Sequence, residues 1–534
     1  MKEAGNSLDI FHLVKGLSSS EKSYYSKMAK RHSDQNTSLH LKLFKLLDES
    51  EEPDEDELCK ALGIENKIHF SGLKTYLYKD ILNTIVFKEK NNSIDTQLYF
   101  LQDQIRMLRE KGLVFLAHKL CRKAINLADK YEKYQTLILL LHLQNRVLEY
   151  KDYKQFKDTT DSIFSLLEET IAAQIAFAEN KFIYEKVRNI TSRSWLPITS
   201  EELVEIKNAK LLLEKVKPGK IHRPLINLFY LNTLALCQYM LHENNHCGDT
   251  CEKIYELWTS NSHLISENAP LFINSFNTNC YNNFIFKNID HAKENLKAYL
   301  HLEKTHIKSE YYTKQFEIIQ FNTELKIYLK TARYDQVKIM LDNKSKEIFS
   351  YLFSILSPVE QLSVLSSICI SYFIMEQWQD SEALLLHIKE QNRQINREDI
   401  LHFSLLFHLL ILYEEKEMQR FESALQAAYQ FLYARKKLRP FERQLMLFLK
   451  RLSAAISKKN ARELIPQFLK QLDKYRGNSH TNLYFLYFNY YGWLESKLLE
   501  ISYKDYVSQK LNDAPAFLNE GKKSVITVKI SRKM

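Results

Sequence analysis

The chain has 534 residues, of which only 10 are glycine and 9 are proline, and its formal net charge is +10 at pH 7. Tight turns, β-bulges and phosphate-binding loops depend on these two residue types, so the composition predicts helices joined by short polar turns. It argues against enzymes built on glycine-rich loops, and neither G-x-G-x-x-G nor G-x-x-x-x-G-K-[ST] occurs in the sequence.

Three features of the sequence predict a cytoplasmic protein. The N-terminus lacks an apolar core followed by a small-residue cleavage site, so no signal peptide is expected. The longest apolar stretches, 137–143 and 363–375, are shorter than the roughly 18 residues that a membrane-spanning helix needs. The seven cysteines are odd in number and scattered, which favours reduced thiols over a disulfide framework.

Residues 1–92 are predicted to form a helical cap that precedes the repeats. The apolar periodicity and the helix-start signals indicate five helices in it. They are expected at 7–17, 20–33, 37–50, 54–63 and 69–89.

The last two of these helices also suggest a helix-turn-helix, with Glu57–Leu62 first and Ser71–Leu82 as the recognition helix. The expected turn, Gly63–His69, is longer than the usual three or four residues. The second helix offers Lys74 and Lys79 to a phosphate backbone but no arginine. A plain helical hairpin is therefore the preferred prediction.

Residues 93–476 repeat one pattern, in which a long amphipathic helix, a short polar break and a bulky apolar residue precede a second helix. The period is about 43 residues, which accommodates two helices and two short turns. The pattern predicts an α-solenoid of about nine helix pairs. The breaks fall at or near Leu113, Tyr153, Thr199, His246, Ile289, Tyr334, Trp378, Phe421 and Leu464.

The segments LKTARYDQVKIML, FIMEQWQDSEALLL and KEMQRFESALQAA show this pattern most clearly. Paired helices with an aromatic residue after the turn resemble tetratricopeptide (TPR) repeats, lengthened beyond the usual 34 residues. No unit carries the complete tryptophan–glycine–tyrosine consensus, and HEAT-like pairing also fits the period. The segments LSSSEKSYYSKMAKR, LKLFKLLDE, LKTYLYKDILNTI and PFERQLMLFLKRL resemble uncharacterised bacterial TPR-like proteins. The resemblance implies an all-α, right-handed solenoid without an established activity.

Residues 477–511 are predicted to be a helical closure, because the aromatic segment TNLYFLYFNYYGWLESKLLEI would cover the open end of the last helix pair. Residues 512–534 are basic, and a disordered tail is preferred there over a strand.

Positive charge is concentrated near the C-terminus, where residues 420–534 contain 22 Lys and Arg against 9 Asp and Glu. Ten basic residues opposed only by Glu442 form a candidate partner-binding site, here called the basic patch. Such a patch suits an acidic protein segment, a nucleic-acid backbone or anionic lipid, and a solvated helix surface is the alternative. Its members are Arg435, Lys436, Lys437, Arg439, Arg443, Lys450, Arg451, Lys458, Lys459 and Arg462.

The segment HENNH, from His242 to His246, matches the zinc-hydrolase pattern H-E-x-x-H, in which Glu243 would be the general base. Cys247 and Cys251 follow as further candidate metal ligands. The pattern requires a continuous helix, yet the paired asparagines and the repeat register both predict a turn here. We therefore expect no catalytic residue, no metal and no cofactor, with a zinc hydrolase as the remote alternative.

The leading functional prediction is a non-enzymatic scaffold or adaptor that binds a protein or peptide on the concave surface of the solenoid. The alternative is a nucleic-acid-associated regulatory protein that uses the basic C-terminal region.

Overall fold

The computed structural model describes residues 7–31, 39–89, 93–148, 153–193, 200–217, 223–286, 289–395, 397–436, 438–454, 458–472 and 487–513. These ranges are helical and contain no strand, which confirms the predicted all-α class. None of the helices within them is both long enough and apolar enough to span a bilayer. By internal contacts the chain divides into two compact units, residues 1–172 and 173–534.

The first unit holds the five N-terminal helices, which begin within two residues of their predicted starts. Their apolar faces form one core cluster around Tyr25, Leu43 and Leu77, and the next helices form a second cluster around Leu98 and Cys121. The helices are α1 (Ser7–Gly16), α2 (Ser19–Arg31), α3 (Leu39–Glu49), α4 (Glu55–Leu62), α5 (Lys67–Glu89), α6 (Ile94–Glu110), α7 (Val114–Lys130), α8 (Tyr134–Leu148) and α9 (Tyr153–Arg193), which continues into the second unit.

Helix α9 departs from the predicted repeat. The period requires an inter-helix break between Tyr153 and Thr199, but residues 153–193 form one uninterrupted helix of 41 residues. No glycine or proline lies in it, and its middle, IAAQIAFAEN, is rich in alanine, the strongest helix former. Nothing in this stretch therefore ends the helix, and the expected break is absent.

The second unit continues with shorter helices. Several begin at or within three residues of the predicted positions Ile289, Tyr334, Trp378 and Phe421. They are α10 (Ser200–Lys215), α11 (Pro224–Met240), α12 (Asn244–Ser260), α13 (Ala269–Phe286), α14 (Ile289–His306), α15 (Glu310–Lys330), α16 (Tyr334–Ile339), α17 (Ser345–Ile355), α18 (Pro358–Ile374), α19 (Trp378–Ile395), α20 (Glu398–Glu414), α21 (Met418–Ala434), α22 (Pro440–Ser453), α23 (Lys458–Leu472), α24 (Tyr490–Leu499) and α25 (Tyr503–Asp513).

In the second unit most helices pack on the next one in the chain, whereas α16 continues through residues 340–344 into α17. Alternate helices also touch: α11 contacts α13, α13 contacts α15, α15 contacts α18 and α20 contacts α22. Helices α18 and α20 meet through Phe373 and Phe407, whose ring centroids are 4.8 Å apart. We refer to α11, α13, α15, α18, α20 and α22 as the first-row helices. Of these, α18, α20 and α22 share a core that extends from Tyr334 to Leu494.

One turn type ends many of the helices. Its central residue has a left-handed backbone and donates its N–H to the carbonyl three residues earlier, and the next residue donates to the carbonyl five residues earlier. A residue with a Cβ costs roughly 1–2 kcal/mol in this conformation, so the scarcity of glycine imposes strain that helix packing offsets. The central residues, with φ between 51° and 71°, are Gly63, Gly112, Glu132, His242, Ala332, Glu376, Lys416 and Glu500.

Replacing Glu376 by glycine is expected to raise the free energy of unfolding by roughly 0.5–1 kcal/mol, measured by urea denaturation. The side chain is exposed and φ is 61°, so the substitution removes backbone strain without removing buried contacts. The control is Glu422→Gly at an exposed position inside α21, which should lower stability by about 1 kcal/mol. A loss of stability in both variants would contradict the strain argument.

Glu382 on α19 ties together three consecutive helices. Its Oε1 lies 2.5 Å from Arg420 Nη2 on α21 and 2.8 Å from His408 Nε2 on α20. Burial alone would raise the pKa of this carboxyl, but the hydrogen bonds from Arg420 and His408 outweigh it, and the pKa of Glu382 is lowered. Burial is also the main reason that the pKa of His408 is lowered.

Glu382→Gln is expected to reduce the free energy of unfolding at pH 7 by about 1 kcal/mol. A carboxyl with a depressed folded-state pKa stabilises the protein above its unfolded-state pKa and loses that contribution as the pH falls. The difference between wild type and variant should therefore shrink below the unfolded-state value of 4.5. Urea denaturation from pH 7 to pH 3.5 measures this, with exposed Glu422→Gln as the control; a difference independent of pH would contradict it.

Candidate functional site

The described part of the basic patch follows the end of α21 and one side of α22. Arg435 and Lys436 are exposed after α21, and Arg443, Lys450 and Arg451 are exposed along α22. These five cations therefore face solvent, as a partner-binding patch requires. The placements of Lys437 and of the Lys458, Lys459 and Arg462 side chains lie outside the described residues.

Two residues of this region are directed away from the patch. The guanidinium of Arg439 is largely covered and lies 3.8 Å from the carboxylate of Glu398 on α20. Glu442, which the sequence sets against the patch, is completely buried, with Oε1 2.6 Å from Nδ1 of His402. The exposed charges of α22 are consequently all positive, whereas the guanidinium of Arg439 lies beside Glu398.

A groove of about 200 Å³ lies between α22 and α23, and we call it the α22–α23 groove. Its floor is made by Phe448 and Phe468, whose rings stack with centroids 4.1 Å apart and planes 5° apart. The residues from α22 recur at positions i, i+3, i+4 and i+7, so that they share one side of the helix. The walls are Gln444, Leu447 and Arg451 from α22 and Leu464, Gln467 and Gln471 from α23.

The lining of this groove suits an extended peptide. Each glutamine amide both donates and accepts hydrogen bonds, as a peptide backbone does. Leu447 is 40% exposed and provides apolar surface beside the stacked rings. Arg451 adds a guanidinium that pairs with carboxylates in a fork geometry. None of the eight lining residues carries a carboxylate, an imidazole or a thiol.

Aromatic side chains at the end of α21 border the same patch. Tyr433 is 69% exposed, and its ring is nearly parallel to that of Tyr429, with centroids 6.2 Å apart. The guanidinium of Arg435 lies 3.7 Å from the ring centroid of Phe431. Sequence reasoning missed these rings, although the four-residue spacing of Tyr429 and Tyr433 ahead of Arg435 was a usable signal.

The HENNH segment lies at an inter-helix turn, where the register predicted one. His242 occupies the left-handed position of the turn with φ 59°, and α12 begins only at Asn244. Glu243 accepts both of its hydrogen bonds at 2.7 Å from Nζ of Lys210. The two histidines are thus not on one continuous helix, and the carboxylate that would act as a base is held in an ion pair.

The neighbouring cysteines are part of the core. Cys247 and Cys251 are completely buried, and the thiol of Cys247 donates to the carbonyl oxygen of Ala235 at 3.2 Å. Cys237, on the preceding helix α11, is also completely buried, and burial raises the pKa of its thiol to about 12. Within the described ranges, no group of three or more histidine, cysteine or carboxylate side chains is placed to hold a metal ion.

The turn between α4 and α5 is shorter than the predicted turn of the N-terminal hairpin. It comprises only Gly63–Asn66, because the side chain of Asn66 accepts a hydrogen bond from the N–H of Ile68 at 2.9 Å and starts α5 early. The turn length therefore does fit a helix-turn-helix. Lys74, however, is buried and bound to Glu55 at 2.5 Å, which leaves only Lys79 of the two predicted phosphate contacts exposed.

Comparison with known proteins gives no family, since no family model and no curated protein matches the chain. The α22–α23 groove offers two stacked rings, two leucines, three amides and one guanidinium.

Proposed function

We propose that the protein is a non-enzymatic cytoplasmic scaffold, whose helix pairs form a TPR-like α-solenoid and whose α22–α23 groove binds an extended acidic segment of a partner protein. Packing of most helices on their neighbours in the chain supports the solenoid, because repeat proteins are stabilised by contacts between adjacent units. All seven cysteines carry free thiols, which suits a reducing compartment.

The observation that carries this function is the combination of an exposed leucine, three amides and a guanidinium in one groove. Leu447, which is 40% exposed above the buried stack of Phe448 on Phe468, offers apolar surface on which a side chain of an extended peptide gains roughly 25 cal/mol for each Å² that it buries. Arg451 at the wall selects a carboxylate. Lys450 and Arg443 are exposed nearby on the same helix and increase the attraction for acidic segments.

Screening the full-length protein against a phage-displayed library of random 12-residue peptides is expected to enrich acidic sequences with an aromatic or aliphatic residue. Fluorescence anisotropy with the best synthetic peptide should then show at least tenfold weaker binding to Arg451→Glu, about 1.4 kcal/mol. Gln467→Ala should weaken binding of the same peptide by a smaller factor, because the substitution removes a neutral hydrogen bond.

The matched control is Arg122→Glu, which reverses an exposed charge on α7 of the first unit and should leave the affinity unchanged. Enrichment of basic peptides, or equal affinity for wild type and Arg451→Glu, would contradict the assignment of the α22–α23 groove.

Nucleic-acid binding is a second candidate function, favoured by the exposed Tyr433 ring next to Arg435 and Lys436. Aromatic rings beside cations bind single-stranded nucleic acids through base stacking and phosphate contacts. A 12-nucleotide single-stranded RNA should then bind with an affinity that falls steeply with salt. In a plot of the logarithm of the binding constant against the logarithm of the salt concentration, each phosphate contact should contribute a slope of roughly −0.7.

In this case Tyr433→Ala is expected to weaken RNA binding by roughly 1–3 kcal/mol, measured by anisotropy at fixed salt. Tyr99→Ala, at a tyrosine that is 64% exposed on α6, is the control. RNA affinity that is insensitive to salt, or equal in wild type and Tyr433→Ala, would exclude this second candidate.

A further inference from the structure

The turn between α6 and α7 exposes three large apolar side chains, Leu113, Phe115 and Leu116, here called the apolar tip. They directly follow Gly112, the left-handed residue of the turn, whose φ is 71°. Phe115 is 78% exposed, Leu116 is 48% exposed and Leu113 is 46% exposed. A ring with this exposed fraction projects into solvent and does not line a groove.

Other turns of the same type carry polar residues where the apolar tip stands. Five of them lead directly into the next helix, and their left-handed residues are Glu132, His242, Ala332, Glu376 and Lys416. In these five turns the residue that corresponds to Phe115 is Gln135, Asn245, Asp335, Gln379 or Gln419. The positions of Leu113 and Leu116 are likewise polar or charged in all five. The turn therefore forms without apolar residues at these positions, and their presence after α6 has a cause other than folding.

Cations continue the outward side of α7 behind the apolar tip. The helix packs on its neighbours through Ala117 and Cys121, which are completely buried. On the other side, Phe115 is followed at four-residue intervals by Lys119 and Lys123, and both lysines are exposed. One helix thus joins an apolar end to a basic side.

The charge around the apolar tip is positive in sum. Residues 103–128 contain six lysines and arginines against two acids, Asp103 and Glu110. Asp103 is moreover paired with Arg106 at 3.6 Å. Lys111 lies within the turn itself and is exposed. The tip is therefore surrounded by a field that attracts an anionic surface.

The spacing of these groups fits the depth of a lipid headgroup layer. A peripheral helix buries its apolar residues by about 5–10 Å at the boundary between headgroups and acyl chains. Since an α-helix rises by about 1.5 Å per residue, Lys119 lies about 6 Å behind Phe115 along α7 and Lys123 about 12 Å behind it. When the first turn of α7 enters the bilayer, these lysines are therefore at the level of the phosphates, where anionic lipid attracts them.

We propose that the apolar tip, together with Lys111, Lys119 and Lys123, is a peripheral docking site for an anionic phospholipid bilayer. A fluid bilayer accommodates a projecting ring without a preformed pocket, whereas a nucleic acid would bind the cations and leave the two leucines in water. None of these residues lines the α22–α23 groove, so this proposal does not depend on peptide binding there.

The test is co-sedimentation of the full-length protein with vesicles of phosphatidylcholine that contain about one third phosphatidylserine. Binding is expected at about 0.1 M salt, should weaken at about 0.5 M salt because the charges are screened, and should be absent with phosphatidylcholine alone. Phe115→Gln, which installs a residue found in three of the other turns, should lower the partition coefficient at least tenfold. Lys119→Glu should lower it several-fold.

Matched controls come from α17, where Phe353 is 48% exposed and Lys346 is exposed. Phe353→Gln and Lys346→Glu should bind vesicles like wild type. The urea midpoint of Phe115→Gln should equal that of wild type, since the ring is largely outside the core. As a measurement that leaves the fold intact, an environment-sensitive fluorophore on Phe115→Cys should shift its emission to the blue when anionic vesicles are added, unlike the same label on Phe353→Cys.

Four results would overturn the proposal. They are no binding of the wild type to anionic vesicles, equal binding to vesicles without phosphatidylserine, equal partition of wild type and Phe115→Gln, and an unchanged emission of the label at position 115. Binding that is lost in Arg443→Glu but kept in Phe115→Gln would assign the lipid contact to the basic patch instead.

Discussion

The short turn with a left-handed central residue is the constraint on which the packing of successive helices depends. It reverses the chain within three residues and satisfies the last carbonyl groups of one helix before the next begins. Because Glu376, Lys416 and similar residues occupy it in place of glycine, each such turn is strained by roughly 1–2 kcal/mol. Burial of the shared apolar core offsets this strain, so the turns are stable only while the helices remain packed.

This constraint explains which parts of the fold were predictable. Helix starts at Ile289, Tyr334 and Trp378 followed from a break and a bulky residue, which are local signals. The continuous helix α9 was missed because an average period was imposed on a stretch that contains no helix-ending residue. The N-terminal turn was misjudged because the capping by Asn66 depends on a single side-chain hydrogen bond.

The candidate site was only partly predictable, for a different physical reason. Composition located the exposed cations Arg443, Lys450 and Arg451, since charge density is a property of the sequence. It did not separate them from Arg439, whose pairing with Glu398 brings together two different helices. Nor did it reveal the stacking of Phe448 on Phe468, because long-range packing decides which aromatic rings lie beneath a groove.

Residues 487–499, which pack against α20 and α23, also have a consequence for the order of folding. Tyr487 and Asp399 are separated by 88 residues in the chain, whereas successive helices make contacts between near neighbours. Closing long loops costs more conformational entropy than forming local contacts, so the helix pairs assemble first and the segment docks last. The aromatic face of α18 and α20, on which the ring centroid of Phe488 lies 5.3 Å from Phe373 and 5.2 Å from Phe407, is therefore covered only in that last step.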